Sequence, residues 1–295
     1  EDDWGVDPVA PTDAPFNMLE LRFDELHSHG KDLIARINDG VLDGVVIKGV
    51  YSSDDMLAIE RRLNSTKEEG VWNTIRNPGA GDEPQPFIKG DVLIPASYQT
   101  DGAVLADYFS RAGAFRAEFR TLFGDVEDFE RRVTQLLTQM SGGRSVGLPP
   151  TPDGISYLPA TIRALPKGAE LVVHVGNHFR NHSAYDDLKT KADLSNQLSY
   201  FLTIAPAQSG GELVVYRHRY DQDVLCVPGT DRPVLTQFDE ASVTYRVKPE
   251  AGDVIIFDGG RYYHRVTPVE TEARRWTMGG FLAFSTDHEA IYYWS

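Results

Sequence analysis

The stretch "LVVHVGNHF" (171–179) decides how the chain is read. Leu171, Val173 and Val175 alternate with Val172, His174 and Gly176, the period-two pattern of a β-strand with two unlike faces. His174 and Gly176 therefore share a face. A pairing of His174 with His178 as a His-x-x-x-His metal site needs a helix, and on a strand the two lie about 13 Å apart. The valines and the glycine favour the strand, so the segment presents one inward histidine with no side chain two residues on.

The same parity sorts the neighbouring segments. In "QLSYFLTI" (197–204), Leu198, Tyr200, Leu202 and Ile204 form an apolar face, opposite Gln197, Ser199, Phe201 and Thr203. In "RWTMGGFLAF" (275–284), Trp276, Met278, Leu282 and Phe284 form the core face, opposite Arg275, Thr277 and Phe281. Polar groups turned into a β-structure need partners, and a ligand pocket supplies them. From Ile155 onward the chain consists of short β-rich runs separated by Gly, Pro and Asp turns, as in a sandwich or barrel.

The order of these pieces resembles the iron(II)/2-oxoglutarate-dependent dioxygenase superfamily over roughly 155–285. "GGEL" (210–213) opens a strand, and "PEAGDVIIFDG" (249–259) resembles the turn and apolar strand before the family's distal ligand. "YYHRVTPV" (262–269) places His264 in the distal-histidine position, and Arg275 with Thr277 resembles the pair that grips the remote carboxylate of 2-oxoglutarate. The resemblance implies an α+β fold with a double-stranded β-helix (jelly roll) core and N-terminal helices packed on one sheet. It also implies His174 and His264 as iron ligands. The family's His-x-Asp/Glu motif reads His174-Val175-Gly176 here, and a glycine in place of the carboxylate resembles the halogenase branch.

In that branch the vacated position admits chloride, which offsets the charge of iron(II) held by two neutral imidazoles. The cofactors implied are Fe(II), 2-oxoglutarate and chloride, with dioxygen as co-substrate. The implied reaction is chlorination of an unactivated aliphatic C–H through an iron(IV)-oxo chloride intermediate. "SNQLSYF" (195–201) and the helical N-terminal half suggest the free-standing type that acts on small molecules such as indole alkaloids without a carrier protein. Ser199 is read either as a strand serine bonded to backbone or as a hydroxyl orienting the oxo group or substrate.

Other readings compete. Gly176 could be a turn glycine, with Asp186 or Asp187 supplying a third ligand for a hydroxylase. A jelly-roll binding protein without catalysis would also lack the carboxylate. Arg274 would replace Arg275 as the anchor if a bulge reversed the parity.

The 295-residue chain carries a formal net charge of −15, which argues against nucleic acid or an anionic membrane surface as partner. One cysteine, Cys226, excludes an internal disulfide and a CxxC metal site. With no apolar run long enough to span a bilayer, a cytoplasmic location is expected. The expected organisation is a flexible acidic arm (1–15) followed by one domain (16–295). Its first part (16–150) is mostly helical support and its second (151–295) is the core. Helices are expected over about 17–38, after "SSDD" (52–55), and over 103–123 and 126–140, with 64–99 as a long loop and 217–240 as an insertion.

Overall fold

A computed structural model describes residues 15–65, 73–74, 83–90, 103–152, 155–220, 238 and 244–295. All but the last residue of the expected acidic arm, most of the 64–99 loop, Cys226 and most of the 217–240 insertion lie outside the described residues.

The strands, in chain order, are β1 (Met18–Arg22), β2 (Gly44–Lys48), β3 (Asn73–Thr74), β4 (Phe87–Lys89), β5 (Ser145–Gly147), β6 (Thr161–Leu165) and β7 (Leu171–His174). They continue as β8 (Leu198–Ala205), β9 (Leu213–Arg219), β10 (Thr244–Val247), β11 (Val254–Phe257), β12 (Tyr262–Val266), β13 (Arg275–Phe284) and β14 (Ala290–Trp294). The helices are α1 (Leu26–His29), α2 (Leu33–Asn38), α3 (Ser53–Ser65), α4 (Ala103–Phe123), α5 (Phe129–Met140) and α6 (Asp186–Lys189).

Strands β6 to β13 form the jelly roll. Four of them run β11-β8-β13-β6 inside a larger sheet, and the other four make the smaller sheet β10-β9-β12-β7, with antiparallel neighbours throughout. The chain crosses from sheet to sheet between β6 and β7, β7 and β8, β8 and β9, and again after β10, β11 and β12. The large sheet is extended by β2 and β1 at one edge and by β4 and β3 at the other.

The sequence pattern explains which face each sheet buries. Leu198, Tyr200, Leu202 and Ile204 of β8 pack with Trp276, Met278 and Leu282 of β13 against the helices. Helix α5 contributes Phe129, Val133, Leu136, Leu137 and Met140, a stripe at three- and four-residue spacing, and Asp128 caps it by accepting from the Arg131 N–H at 3.1 Å. Each buried aliphatic side chain of this kind contributes about 1.5–3 kcal/mol. The opposite face of the large sheet looks at the smaller one across Val46, Phe201, Leu213, Val215, Ile255 and Phe257.

One local expectation fails. Residues 17–38 are not one helix: Met18–Arg22 is a strand that pairs in parallel with β2, and the helical turns begin only afterwards. The run "MLELR" satisfies strand alternation as well as helical spacing, and the open edge of β2 supplies the hydrogen bonds that settle the choice. At Gly30, where α1 ends, a Cβ would meet the carbonyl oxygens of Leu26 at 2.6 Å and Gln139 at 2.9 Å. The other expected helices are present, the first opened by Ser52, whose Oγ accepts from the Asp55 N–H at 3.1 Å. Among the described residues, no helix is long and apolar enough to cross a membrane.

Candidate functional site

The two histidines are brought together by register. His174 on β7 and His264 on β12 are cross-strand partners, with ring centroids 4.3 Å apart. Each ring is fixed by the backbone of its own strand: His174 Nδ1 lies 2.8 Å from the Val172 carbonyl oxygen and His264 Nδ1 lies 2.9 Å from that of Tyr262. A carbonyl can only accept, so Nδ1 carries the proton and Nε2 keeps its lone pair. Burial pushes the His174 imidazole down to about 4 and holds His264 well below its ordinary value, with the neighbouring His174 adding to the effect. Both rings are neutral at physiological pH, the form that binds a metal.

Strand β7 ends at His174, two residues short of the expected alternation, and Gly176 opens a 3₁₀ turn. Val175 between them is extended (φ −145°, ψ 137°), so His174 and Gly176 keep the same face. The turn reading of Gly176 and the face reading therefore both hold.

The backbone of Gly176 is clamped. Its N–H donates to the Gly259 carbonyl at 2.8 Å, and the next N–H, of Asn177, donates to the Gly260 carbonyl at 3.0 Å. The Gln197 carboxamide donates to the Gly176 carbonyl at 3.3 Å, and Asn177 Oδ1 accepts from the Gln197 N–H at 2.9 Å. Asn196 then links this turn to buried Asp258, its Nδ2 donating to Oδ1 at 3.0 Å. A Cβ placed on Gly176 would meet Gly259 O at 3.2 Å, Gly260 Cα at 3.3 Å and Phe281 Cε1 at 3.4 Å. The Gly176 backbone is thus held in place, with little room for a side chain.

Ser199 packs against the same turn: a Cβ on Gly259 would lie 2.3 Å from its Oγ. The Ser199 hydroxyl makes no hydrogen bond among the described residues.

Arg275 is 4 % exposed, and its guanidinium lies over the Phe201 ring at 5.3 Å, on the face between the sheets. Its Nη1 is 3.5 Å from Thr277 Oγ1. Among the described residues no carboxylate pairs with it, and burial pushes it down to about 10. Arg274 instead lies over the Trp276 ring at 6.0 Å. A register shift does occur in the β13–β8 pairing between Trp276 and Thr277, but it leaves Arg275 and Thr277 on one face.

The alternative carboxylates are engaged elsewhere. Asp187 accepts from the Tyr157 hydroxyl at 2.6 Å and is ion-paired with Lys191, and Asp186 is ion-paired with Lys189 at 2.7 Å. No three His, Cys, Asp or Glu side chains converge on a metal position among the described residues.

Sequence reasoning passed over Arg163. It sits on β6 directly across from Thr277 of β13, enclosed in the barrel and with part of its surface accessible. The signal was present in "TIRAL" (161–165), where Thr161 and Arg163 alternate with Ile162 and Ala164. Among the described residues, the buried hydroxyls of Thr161 and Thr203 and the Gln197 Oε1 also lack hydrogen-bond partners. An interior with two arginines and unsatisfied hydroxyls fits an acidic ligand, and two Nε2 lone pairs side by side fit a divalent metal.

A search of the curated proteins finds no match. Among solved structures, the chain is similar to an N-substituted L-amino acid dioxygenase of Burkholderia ambifaria AMMD in complex with alpha-KG. The identity is 17%, over 88% of this chain and 90% of that one, with a TM-score of 0.49. It is also similar to the non-heme alpha ketoglutarate dependent epimerase SnoN from nogalamycin biosynthesis, at 12% identity over 88% of this chain and 85% of that one, TM-score 0.43. The model of the carrier-protein-independent halogenase WelO5 matches residues 15–295, so the chain belongs to the WelO5 family of carrier-protein-independent halogenases.

Proposed function

We propose that this halogenase chlorinates an unactivated aliphatic carbon of a free small molecule of the indole-alkaloid type, with His174 and His264 holding iron(II) and Gly176 leaving the halide its place. The observation that carries the reading is the glycine itself: two residues past His174 on the same face, where the family has its carboxylate, Gly176 offers no ligating side chain and its backbone is clamped to Gly259 and Gly260.

When bound, iron(II) and 2-oxoglutarate supply the activation of dioxygen and the oxidising power that removes hydrogen from the substrate carbon. The chain's own residues place the reactants. His174 and His264 offer neutral nitrogens whose partners on the other side of each ring are backbone carbonyls, so their orientation does not depend on a mobile side chain. Arg275 and Thr277 hold the remote carboxylate of the keto acid, a task for a planar guanidinium enclosed by apolar walls. Gly176 contributes by having no ligating atom, and the surrounding hydrogen bonds prevent the turn from swinging a carbonyl into the gap. Ser199, whose hydroxyl lies against Gly259, would orient the substrate.

A hydroxylase with a third ligand from Asp186 or Asp187 is disfavoured by the ion pairs those residues already make. The test is turnover of free indole alkaloids with iron(II), 2-oxoglutarate and dioxygen, in chloride and in chloride-free buffer, read by mass spectrometry. The expected product carries the chlorine isotope pattern only when chloride is present. Hydroxylated product under saturating chloride would overturn the assignment. A chain that neither binds iron(II) nor forms succinate would be the non-catalytic binding protein instead.

A further inference from the structure

Gly176 has no side chain by which a metal could hold it, so the turn that carries it is held by the protein alone. Its clamping bonds run to the Gly259 and Gly260 carbonyls, and those belong to the loop that opens with Asp258, between β11 and β12. Asp258 is 1 % exposed. Its backbone N–H donates to the Asp43 carbonyl at 2.9 Å, and its own carbonyl accepts from the Tyr262 N–H at 3.1 Å. Tyr262 is the residue whose carbonyl fixes the His264 ring.

The carboxylate of Asp258 joins two further parts of the fold. One oxygen accepts from Arg261 Nε at 2.6 Å and the other from Asn196 Nδ2 at 3.0 Å. Arg261 also donates to the Ile37 carbonyl of α2 at 3.0 Å, which ties the pair to the N-terminal half. Burial pushes the Asp258 carboxyl up from its ordinary value, and the bonds from Arg261 and Asn196 oppose that.

The charge gives the network a direction. An ionised carboxylate can only accept, so the Asn196 carboxamide turns its NH₂ to Asp258 and its Oδ1 to Asn177. Asn177 Nδ2 then donates to Asn196 Oδ1 at 3.4 Å and to the Ser195 carbonyl at 3.2 Å, which leaves Asn177 Oδ1 to accept from the Gln197 N–H. Without a fixed acceptor at its end, a chain of carboxamides can reverse, because each amide has a donor side and an acceptor side. A reversed Asn177 would set its NH₂ against the Gln197 N–H, and the turn would have to move. There is no slack to absorb this: a Cβ on Gly260 would collide with Asn196 Oδ1, Asn177 Oδ1 and the Gln197 carbonyl oxygen.

We infer that Asp258 is a positioning residue for halogenation: its buried charge orients Asn196 and Asn177, and through them it keeps the Gly176 turn out of the position left for the halide. The inference rests on the reading of Gly176 given above.

The experiment compares the unaltered chain with Asp258→Asn, with Asn196→Ala, and with the exchanged pair Asp258→Asn plus Asn196→Asp. In the exchanged pair the new amide at 258 donates to the new carboxylate at 196, and Arg261 and Asn177 each keep an acceptor. Two quantities are read: hydrogen–deuterium exchange of the Gly176 and Asn177 amides in the metal-free chain, and chloride affinity of the anaerobic iron(II)–2-oxoglutarate complex, from its visible absorption as chloride is titrated. Asp258→Asn and Asn196→Ala are each expected to speed exchange at both amides about tenfold or more, the scale of one charge-assisted hydrogen bond, and to weaken chloride by a similar factor. Iron(II) affinity should stay within about threefold, since both histidines remain. The exchanged pair should recover most of both losses. Asn196→Ala leaves the Asp258–Arg261 pair in place and carries the test if Asp258→Asn does not fold.

Unchanged exchange at both amides, or no recovery in a folded exchanged pair, would overturn the inference. Loss of iron(II) and chloride affinity by the same factor would mark a merely structural carboxylate and overturn it too. If the unaltered complex shows no response to chloride, the reading of Gly176 fails, and the exchange data still decide whether Asp258 holds the turn.

Discussion

His174 and His264 face each other across the β7–β12 ladder, their ring centroids 4.3 Å apart and their Nδ1 atoms both turned to backbone carbonyls. This one cross-strand pairing brings together two neutral imidazoles from distant parts of the sequence, the pair proposed to hold the metal. It also defines the third corner of the site, because Gly176 follows His174 on the same face, two residues on. What stands at that corner decides the chemistry.

Substitution at Gly176 therefore separates space from ligation. A Cβ there sits 3.2–3.4 Å from Gly259 O, Gly260 Cα and Phe281 Cε1, so neighbours must give by a few tenths of an ångström. Gly176→Ala should cost about 1 kcal/mol of stability and retain chlorination, since alanine offers no ligand. Gly176→Asp should cost about 1–3 kcal/mol, abolish chlorination and leave hydroxylation as the surviving activity. Thermal melts and product masses check both; chlorination by the aspartate variant would count against the placement of the halide.

The Gly259–Ser199 contact predicts a harsher effect outside the proposed metal ligands. Adding a Cβ to Gly259 puts it 2.3 Å from Ser199 Oγ and 2.8 Å from Ser199 Cβ, and Gly259 O is the acceptor that holds the Gly176 N–H. Gly259→Ala should destabilise the chain by about 3 kcal/mol and lower iron(II) affinity more than tenfold. Removing the obstruction with Ser199→Gly in the same chain should restore part of the affinity. Failure of the double variant to recover anything, with the fold intact by circular dichroism, would show that the clamp is not transmitted through Ser199.

At high pH the helix–sheet core should give way first. Tyr293 of β14 is buried, its hydroxyl 2.8 Å from Thr134 Oγ1 of α5, and burial pushes it up to about 12. Its folded pKa lies above its unfolded one, near 10. Its contribution is therefore complete below about pH 10 and is lost as pH rises towards 12. Tyr51, Tyr157 and Tyr185 are raised by burial in the same direction. Tyrosinate absorbance should therefore appear together with loss of tertiary signal in that window. Ionisation of these tyrosines well before unfolding would contradict the packing.

The faces of the candidate residues were legible because strand parity is a strict code. His174 and Gly176, Ser199, Arg275 and Thr277 were each assigned a face from alternation with apolar residues, and the fold keeps them there. Arg163 obeys the same code in "TIRAL" and was passed over because nothing nearby marked that short strand. What alternation could not give is contact between distant segments. The Asn177–Asn196–Asp258 chain of hydrogen bonds that braces the Gly176 turn joins residues up to 81 positions apart, as Asn177 bonds Asn196 and Asn196 bonds Asp258. The strand Met18–Arg22 was misread for a related reason, since its identity comes from the parallel edge of β2 and not from its own five residues.

The measurement that bears most directly on the central claim is anomalous diffraction from crystals of the iron(II)–2-oxoglutarate complex grown anaerobically in bromide. A bromide peak should lie beside Gly176, within bonding distance of a metal held by His174 and His264, and it should vanish in Gly176→Asp. A metal at the same two histidines whose third protein ligand is a carboxylate, with no bromide beside Gly176, would contradict the account.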